Sequence, residues 1–408
     1  MKVLALVPSF FGHTGDAVNE RQLLMALARK VEECYVVTFV GFKQIFTKRR
    51  RELRIVLPKN MILIPLPLPQ IHILIIYFAA IIVSCFISII SLILNVLKKI
   101  DLIYIRSSFL SIGFLTFRSL ARKTIVKIPA IIEDEIAGGD IIKSLIRKIA
   151  SFTDRFVLAR AGRVAVNGRP LYYELVQRRC FIHEDEPLEI PPGVDLSLIE
   201  RIKNKVSKDI SLGMSKDYYT VGFLGLIAWW QGVDVLVKSV AKLKDASLNK
   251  VVKLLLVGDG PERRRIEYLC KRLGVDYEIT GFIGHYKALE YLSMFDVLVL
   301  PRYRISTTEC IIPIKVIEAW ALGVPVITTR HEIYKSTGLR NKEDIIFCEP
   351  DPDDVAEKIL LVLRDGELRK KLSKRGQQLA ENFYYDKIVA KLINAFNGAK
   401  ESIVKLLY

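Results

Sequence analysis

Short apolar runs with the composition of β-strands alternate with stretches of helical periodicity along nearly the whole chain. Before residue 170 these runs are KVLALVP, YVVTFV, MILIPL, DLIYIR, TIVKI and RVAVN. After residue 215 they are YTVGFLG, KLLLVGDG, YEITGFIG, DVLVLP, PVITT and DIIFCE. Because strands that alternate with helices form parallel sheets with crossover helices, the sequence predicts two doubly wound α/β domains in tandem. A chain of 408 residues is long enough to build two such cores.

The boundaries of the two domains follow from this series. We expect a Rossmann-like N-terminal domain over residues 1–205, a Rossmann-like C-terminal domain over 215–385, and a final helix over 386–408 that packs back on the first domain. The charged stretch IERIKNKVSKDISLGMSKD lies between the two series and is predicted to be a connecting loop. Ligands of doubly wound sheets bind at the carboxyl ends of the strands, so we expect the chemistry in a cleft between the two domains.

A long apolar segment interrupts the first series. Between Lys59 and Lys98 the chain carries no Asp, Glu, Lys or Arg, and one helix over 71–97 would be roughly 40 Å long. A hydrocarbon core is ~30 Å thick, but a single crossing would place strands of one sheet on opposite sides of the membrane. We therefore predict monotopic attachment through this segment, with a shallow re-entrant segment or an entirely buried core helix as alternatives.

A basic stretch immediately precedes the apolar segment. Its cations, which oppose only Glu52, are Lys43, Lys48, Arg49, Arg50, Arg51, Arg54 and Lys59. Basic residues beside an apolar helix favour an anionic membrane surface, although a solvated face is an alternative for any single residue. Its densest part, from Lys48 to Arg54, has no interleaved aromatic residue, and the chain has no nucleic-acid-binding motif, so a nucleic-acid partner is not expected.

The cysteines and the first residues indicate the compartment. Six scattered cysteines without a paired spacing predict reduced core thiols rather than a zinc site or a disulfide framework. The opening MKVLALVPSFFG has one Lys and a short apolar run that is broken by Pro8 and Gly12, so it is not predicted to be a signal peptide. We expect a cytoplasmic protein that is attached peripherally or monotopically to the inner face of the membrane.

An ordered series of motifs marks the second half. A Gly-rich strand end precedes WQGVD, and then LLLVGDGP, ITGFIG, DVLVLP and PIKVIEAWALGVPVITT follow. This order resembles the retaining glycosyltransferases of family 4 over residues 217–385. A weaker match over 1–200 rests on Gly12 and Gly15 after the first strand and on the turn PPGVD. The resemblance implies a GT-B fold, with two Rossmann-like domains that face each other across a cleft, and metal-independent hexosyl transfer from a UDP- or GDP-sugar without a cofactor.

Most of the residues that are predicted to bind the donor belong to the second half. The resemblance assigns Glu318 to the ribose, and a carboxylate can accept hydrogen bonds from two vicinal hydroxyls. Lys315, one helical turn earlier, can reach a phosphate as a point charge and is a predicted catalytic residue. Gly258 and Gly260 allow close approach of the backbone, and the main chain near Ile283 can pair with the base.

Two charges of the family pattern are absent. The Arg and the Lys that grip the diphosphate in that family are replaced here by Leu226 and Gln231, and Gln231 remains a predicted donor contact. Arg302, Arg304 and Arg330 follow two later strands at the correct end of the sheet to substitute, although each is equally consistent with a solvated loop arginine. Arg302 is the predicted donor ligand among the three.

Three further sites complete the prediction. The family's first glutamate falls at Cys310, so Glu309, one residue away, is the predicted second catalytic residue. Gly15, at a helix start, would direct backbone N–H groups toward the leaving diphosphate. The cluster Glu133, Asp134 and Glu135 is predicted to face the acceptor, with a solvated acidic loop as the alternative.

Metal binding is not expected from this sequence. The letters Asp351-Pro352-Asp353 match the D-x-D of metal-dependent transferases, but Asp353 is predicted to cap a helix. The five histidines show no ligand spacing.

The sequence therefore predicts a retaining transferase that moves a sugar from a nucleotide-sugar to a hydroxyl acceptor, a lipid-linked glycan or glycolipid at the membrane. Two alternatives are an inactive GT-B subunit, which the replacements at Leu226 and Gln231 favour, and a nucleotide-sugar epimerase. A nicotinamide-dependent oxidoreductase is disfavoured because no G-x-G-x-x-G follows a strand.

Overall fold

The computed structural model describes residues 1–8, 10–12, 14–41, 57–68, 81–89, 99–131, 141–179, 186–211, 217–244 and 248–405. The chain divides into two compact units, of which the first combines Met1–Pro191 with Tyr385–Tyr408 and the second is Pro192–Tyr384. The basic residues 43–54, most of the apolar segment 71–97 and the acidic cluster 133–135 lie outside the described residues. Across the described ranges, no helix combines the length and the apolar character needed to span a membrane.

The first unit is built on a seven-stranded parallel sheet. Its elements in the first part of the chain are β1 (Lys2–Val7), α1 (Gly15–Ala28), β2 (Glu33–Gly41), β3 (Met61–Leu68), α2 (81–89), β4 (Leu102–Ile105), α3 (Ser108–Leu115), α4 (Arg118–Ala121), β5 (Thr124–Ile128), α5 (Ile141–Arg160), β6 (Arg163–Val166), α6 (Arg169–Arg179) and β7 (Leu188–Glu189). The strand order is β3-β2-β1-β4-β5-β6-β7. In the central register, Val3 of β1 lies between Cys34 and Leu102.

The second unit contains a six-stranded parallel sheet. Its elements are α7 (Leu196–Ser211), β8 (Tyr218–Leu224), a 3-10 turn (Trp229–Gln231), α8 (Val233–Lys242), β9 (Val251–Val257), α9 (Arg263–Leu273), β10 (Tyr277–Ile279), α10 (His285–Leu292), β11 (Val297–Leu300), α11 (Ser306–Glu309), α12 (Ile314–Leu322), β12 (Val326–Thr329), α13 (Glu332–Ser336), β13 (Ile346–Cys348), α14 (Pro352–Arg364), α15 (Gly366–Ala380) and a 3-10 turn (Glu381–Phe383). The strand order is β10-β9-β8-β11-β12-β13. The prediction of two doubly wound parallel sheets is confirmed.

The two faces of the first sheet carry separate cores. Alternate residues of β1 point to opposite faces, so Val3 and Ala5 join one core and Leu4 and Leu6 join the other. The first core also contains residues of α1 and of the last helix, α16 (Tyr385–Lys405). The second core contains residues of α3 and α5, and Ile87 of α2 packs against it.

The prediction of a connecting loop over 199–217 was wrong for most of these residues, because the helix α7 runs from Leu196 to Ser211. Although most of the stretch is charged, it has one apolar stripe. Ile199 and Ile202 belong to this stripe and are buried in the core of the second unit. The helix start is stabilised by Asp195, whose carboxylate accepts a hydrogen bond from the Ser197 N–H at 2.9 Å. The division between the units accordingly falls at Pro191, before the helix rather than after it.

Candidate functional site

The loops that follow β8 and β9 are joined by backbone hydrogen bonds. The N–H of Gly225 donates to the carbonyl of Val257 at 2.9 Å, and the N–H of Ile227 donates to Asp259 at 2.9 Å. The N–H of Glu262 returns a bond to the Ile227 carbonyl at 3.1 Å. The carboxyl ends of the neighbouring strands β8 and β9 therefore carry one continuous, hydrogen-bonded rim.

Gly258 and Gly260 permit this contact between the loops. A Cβ on Gly258, whose φ is +141°, would lie 2.0 Å from the carbonyl oxygen of Gly225. A Cβ on Gly260 would lie 2.3 Å from the oxygen of Ile227. The close backbone approach that the sequence predicted at these glycines is thus made to the neighbouring loop of the protein itself.

Lys315, the second residue of α12, lies against this rim. Its Nζ donates to Oε1 of Gln231 at 3.1 Å and lies 4.6 Å from the centre of the Phe223 ring. A Cβ on Gly225 would come within 2.8 Å of the same nitrogen. The pKa of Lys315 lies well below its usual value, because burial removes water from the ammonium and the positive charge of Arg302 opposes a second cation, while Glu318 acts in the opposite direction.

Arg302 differs from the two other arginines that were predicted to substitute for the missing charges. It is buried, and its Nε and Nη1 have no hydrogen-bond partner. Burial lowers its pKa to about 10. By contrast, Arg304 pairs with Glu349 at 3.3 Å, and Arg330 is exposed with its guanidinium over the Phe347 ring. A buried cation with two unpartnered nitrogens is costly unless an anion binds to it.

The carboxylate of Glu309 contacts the loop after β12. Its Oε2 accepts from the N–H of Glu332 at 2.7 Å, and its Oε1 lies 3.3 Å from Nδ1 of the buried His331. Burial lowers the pKa of His331 to about 4, so this histidine is neutral at neutral pH. Glu309 therefore holds the end of α11 against the start of α13.

Glu318 is buried on α12, and its Oε1 lies 2.6 Å from Nε2 of His285. His285 is the first residue of α10, two positions after Ile283, which packs partly buried against the core. Sequence reasoning missed His285, since no metal-ligand spacing singled it out. No local pattern around His285 connects it to Glu318, which lies 33 residues later in the chain.

In the first unit, Gly15 lies at the start of a helix. Gly15 is exposed in the first turn of α1, whose N-cap Thr14 accepts from the Ala17 N–H at 3.3 Å. Deeper in this unit, Glu20 pairs with Arg106 at 3.0 Å and with Lys127 at 3.7 Å. This buried group carries charges of both signs and therefore resembles an internal ion pair rather than an anion site.

The helix cap of α14 corrects one prediction. The N-cap is Asp351, whose carboxylate accepts from the N–H groups of Asp353 and Asp354 at 2.9 and 3.1 Å. Asp353 lies inside the first turn, because Pro352 occupies the first helical position. Among the residues that the structure describes, no three His, Cys, Asp or Glu side chains are placed to hold a metal ion.

Comparison with families and curated proteins identifies a common class of relatives. Residues 206–379 match the family "Glycosyl transferases group 1". An uncharacterized glycosyltransferase of Methanocaldococcus jannaschii is 25% identical over 49% of this chain and 50% of its own length. N-acetyl-alpha-D-glucosaminyl L-malate synthase of Bacillus anthracis is 33% identical over 34% of this chain and 35% of its own length. The chain thus spans about half of the length of the first relative and about a third of the second.

Solved structures share the fold over the whole chain. Sucrose-phosphate synthase from Thermosynechococcus elongatus superposes with a TM-score of 0.74 at 18% identity, covering 98% of this chain and 100% of the other. HepE of Anabaena in complex with UDP gives a TM-score of 0.70 at 14% identity, with 98% and 100% covered. The fold is therefore that of the GT-B glycosyltransferases, as the sequence predicted.

Proposed function

We propose, starting from the group 1 glycosyltransferase match of residues 206–379, that this chain transfers a sugar from a nucleotide-sugar to a hydroxyl acceptor. One observation carries the proposal. Arg302 is a buried cation with two unpartnered nitrogens, and its charge acts on Lys315. Two neighbouring cations at the carboxyl edge of a parallel sheet suit the diphosphate of such a donor.

The two cations would act on the bond that breaks. In the transfer, the bond between the sugar C1 and a diphosphate oxygen breaks, the acceptor oxygen bonds to C1, and the acceptor proton passes to a phosphate oxygen. Negative charge accumulates on the leaving diphosphate, and Lys315 and Arg302 would stabilise it. Arg302 would thereby replace the charge that the family pattern places at Leu226, while Gln231 orients Lys315.

Glu318 would bind the ribose of the donor. One of its oxygens is bonded to His285 at 2.6 Å, which fixes the orientation of the carboxylate. UDP- and GDP-sugars are both compatible with this chemistry, and the UDP complex of HepE makes UDP the first nucleotide to test. For Glu309, whose oxygens contact His331 and Glu332, a positioning role replaces the predicted contact with the donor sugar.

The remaining features of the proposal come from the sequence. We infer hexosyl transfer with retention of configuration, without a metal, to a lipid-linked acceptor at an anionic membrane surface. The apolar segment 71–97 and the basic residues before it support the membrane part. Gly15 and the cluster Glu133, Asp134 and Glu135 remain the proposed diphosphate-side and acceptor-side groups of the first unit.

The test combines a variant with a donor analogue. Calorimetric titration of the purified chain with UDP and with 2′-deoxy-UDP should show about a tenfold weaker affinity for the deoxy compound. In Glu318→Ala, which lacks the ribose acceptor, the two nucleotides should bind equally. Glu367→Ala, an exposed glutamate on α15, serves as the control and should behave as wild type. Absence of binding to UDP, GDP and ADP would contradict the donor site.

The second candidate is an inactive GT-B subunit, which the uncharged residues Leu226 and Gln231 favour. Transfer assays separate it from the first. The purified chain with a UDP- or GDP-sugar and a lipid-linked acceptor should release nucleoside diphosphate, whereas an inactive subunit binds the donor without turnover. Interconversion of the sugar without an acceptor would indicate an epimerase instead.

A further inference from the structure

Three helices, α2, α3 and α5, cover one face of the seven-stranded sheet. All three contribute side chains to the core that contains Leu4 and Leu6. Ser84 of α2 donates to the Leu110 carbonyl of α3 at 2.6 Å, and Ser108 of α3 bonds to Asp154 of α5. Helix α3 therefore contacts both α2 and α5, and nearly all of its own residues are buried.

The outer side of this layer exposes large apolar side chains. Phe86 on α2 and Phe152 on α5 are each 64% exposed. Ile82 and Ile89 accompany Phe86 at helical spacing, and Leu145 lies two turns before Phe152. The opposite side of the sheet differs, because no large apolar side chain is exposed on α1 or on the described side chains of α16.

Cations lie among these apolar residues. Lys148, Arg155 and Arg160 are exposed on α5, and Arg160 lies 5.3 Å over the ring of Phe156. The one acidic residue of α5, Asp154, is buried and pairs with Arg179 at 3.0 Å. The sequences of α2 and α3 contain no acidic residue. This surface therefore combines exposed apolar side chains with positive charges, and no exposed acidic residue on α2, α3 or α5 neutralises them.

We propose that the α2/α5 face, formed by Ile82, Phe86, Ile89, Leu145, Lys148, Phe152, Arg155 and Arg160, binds the surface of an anionic lipid bilayer. Aromatic and aliphatic side chains beside Lys and Arg are the composition of interfacial helices. The residues on both sides of α2, 69–80 and 90–97, carry no Asp, Glu, Lys or Arg, which extends the apolar character along the chain. The inference rests on the proposed function only in naming the surface from which a lipid-linked acceptor would come.

Vesicle flotation of the full chain tests this face. Vesicles of phosphatidylcholine with phosphatidylglycerol should carry the protein upward at about 0.15 M salt, and vesicles of phosphatidylcholine alone should carry at least tenfold less. The triple variant Phe86→Ser, Phe152→Ser, Lys148→Glu should lose at least tenfold of the binding. The matched control is Tyr268→Ser with Lys271→Glu on α9 of the second unit, where Tyr268 is 65% exposed, and it should float as wild type.

Three results overturn the proposal: undiminished flotation of the triple variant, equal binding to neutral and anionic vesicles, or no flotation of the wild type. In the last case, self-association that the triple variant loses in sedimentation velocity would identify a second copy as the occupant of this face. Single substitutions, Phe152→Ser and Lys148→Glu, repeat the test if the triple variant does not fold. UDP binding is measured in parallel, and flotation without UDP binding would contradict the proposed function while leaving this inference supported.

Discussion

Lys315 and Gln231 are 84 residues apart in the sequence, and their side chains meet in a hydrogen bond of 3.1 Å between Nζ and Oε1. The bond ties the first turn of α12 to the loop after β8. Gln231 is an uncharged acceptor, so it orients the ammonium without neutralising it. The bond therefore fixes the position of the Lys315 Nζ.

Donor binding should depend on pH through Lys315. Its pKa is lowered well below the usual value by burial and by Arg302, and a bound diphosphate favours the protonated form and raises that pKa. UDP affinity should therefore be constant below the free-state pKa and fall about tenfold per pH unit above it, until the bound-state pKa is reached. Titration in two buffers of different ionisation enthalpy should show proton uptake within that pH range, and Lys315→Met should abolish it. Uptake that persists in Lys315→Met would assign the proton to another group.

Arg302→Met should weaken donor binding and stabilise the free protein. The variant loses a charged hydrogen bond of ~1.5–3 kcal/mol to the diphosphate, which corresponds to roughly 10–100-fold in Kd. It also removes a buried cation whose Nε and Nη1 have no partner, so the melting temperature without ligand should rise. Calorimetry and thermal melting measure the two effects. The control, Arg330→Ala, removes an exposed arginine and should change neither, and an Arg302→Met variant with wild-type affinity would exclude Arg302 from the donor site.

His285 should act through Glu318. Replacing it with Phe removes the 2.6 Å contact to the carboxylate and should raise the KM for the nucleotide-sugar about 3–10-fold with little change in kcat. The effect should largely disappear in a Glu318→Ala background, because the two residues act as one unit. Lys287→Ala, on the same helix, is the control. Additive effects of His285→Phe and Glu318→Ala would show that His285 acts independently.

Gly258→Ala should be strongly destabilising. Its φ of +141° is unfavourable for alanine, and the new Cβ would lie 2.0 Å from the Gly225 carbonyl. Strain and overpacking together should cost about 2–4 kcal/mol. Gly338→Ala is the matched control, since its φ is +70° but its surroundings are open, and about 1 kcal/mol is expected there. Thermal melting compares the stabilities of the two variants. Equal losses of stability would mean that the contact between the two loops does not contribute to the effect at Gly258.

The alternation of elements was readable from the sequence because most strands are continuous apolar runs. KVLALV and VLVL are buried along nearly their whole length, so composition alone located them. The exception, α7, buries only a narrow stripe that includes Ile199 and Ile202. Most residues of this helix are charged or polar, which is also typical of a loop. The apolar stripe could be identified only from the structure, in which it packs against the core of the second unit.

The candidate site was predictable only in part for a related reason. The order of the motifs predicted Lys315, Glu318 and Arg302 as site residues, because each belongs to a local pattern that follows a strand. Partners that come from other elements carry no such local signal. The contact of His285 with Glu318 spans 33 residues. The burial of Arg302 depends on side chains that are distant in the sequence, so no local pattern predicts it.

The hydrogen-bonded loops after β8 and β9 limit how this protein can diverge or be redesigned. A side chain introduced at Gly258 or Gly260 would collide with the backbone of the loop after β8, so a substitution at either glycine requires a compensating change in that loop. Exchange of one loop with a relative should give an insoluble or unstable chimera, whereas exchange of both together should preserve the rim. The two loops therefore have to be changed together in any redesign of this edge of the sheet.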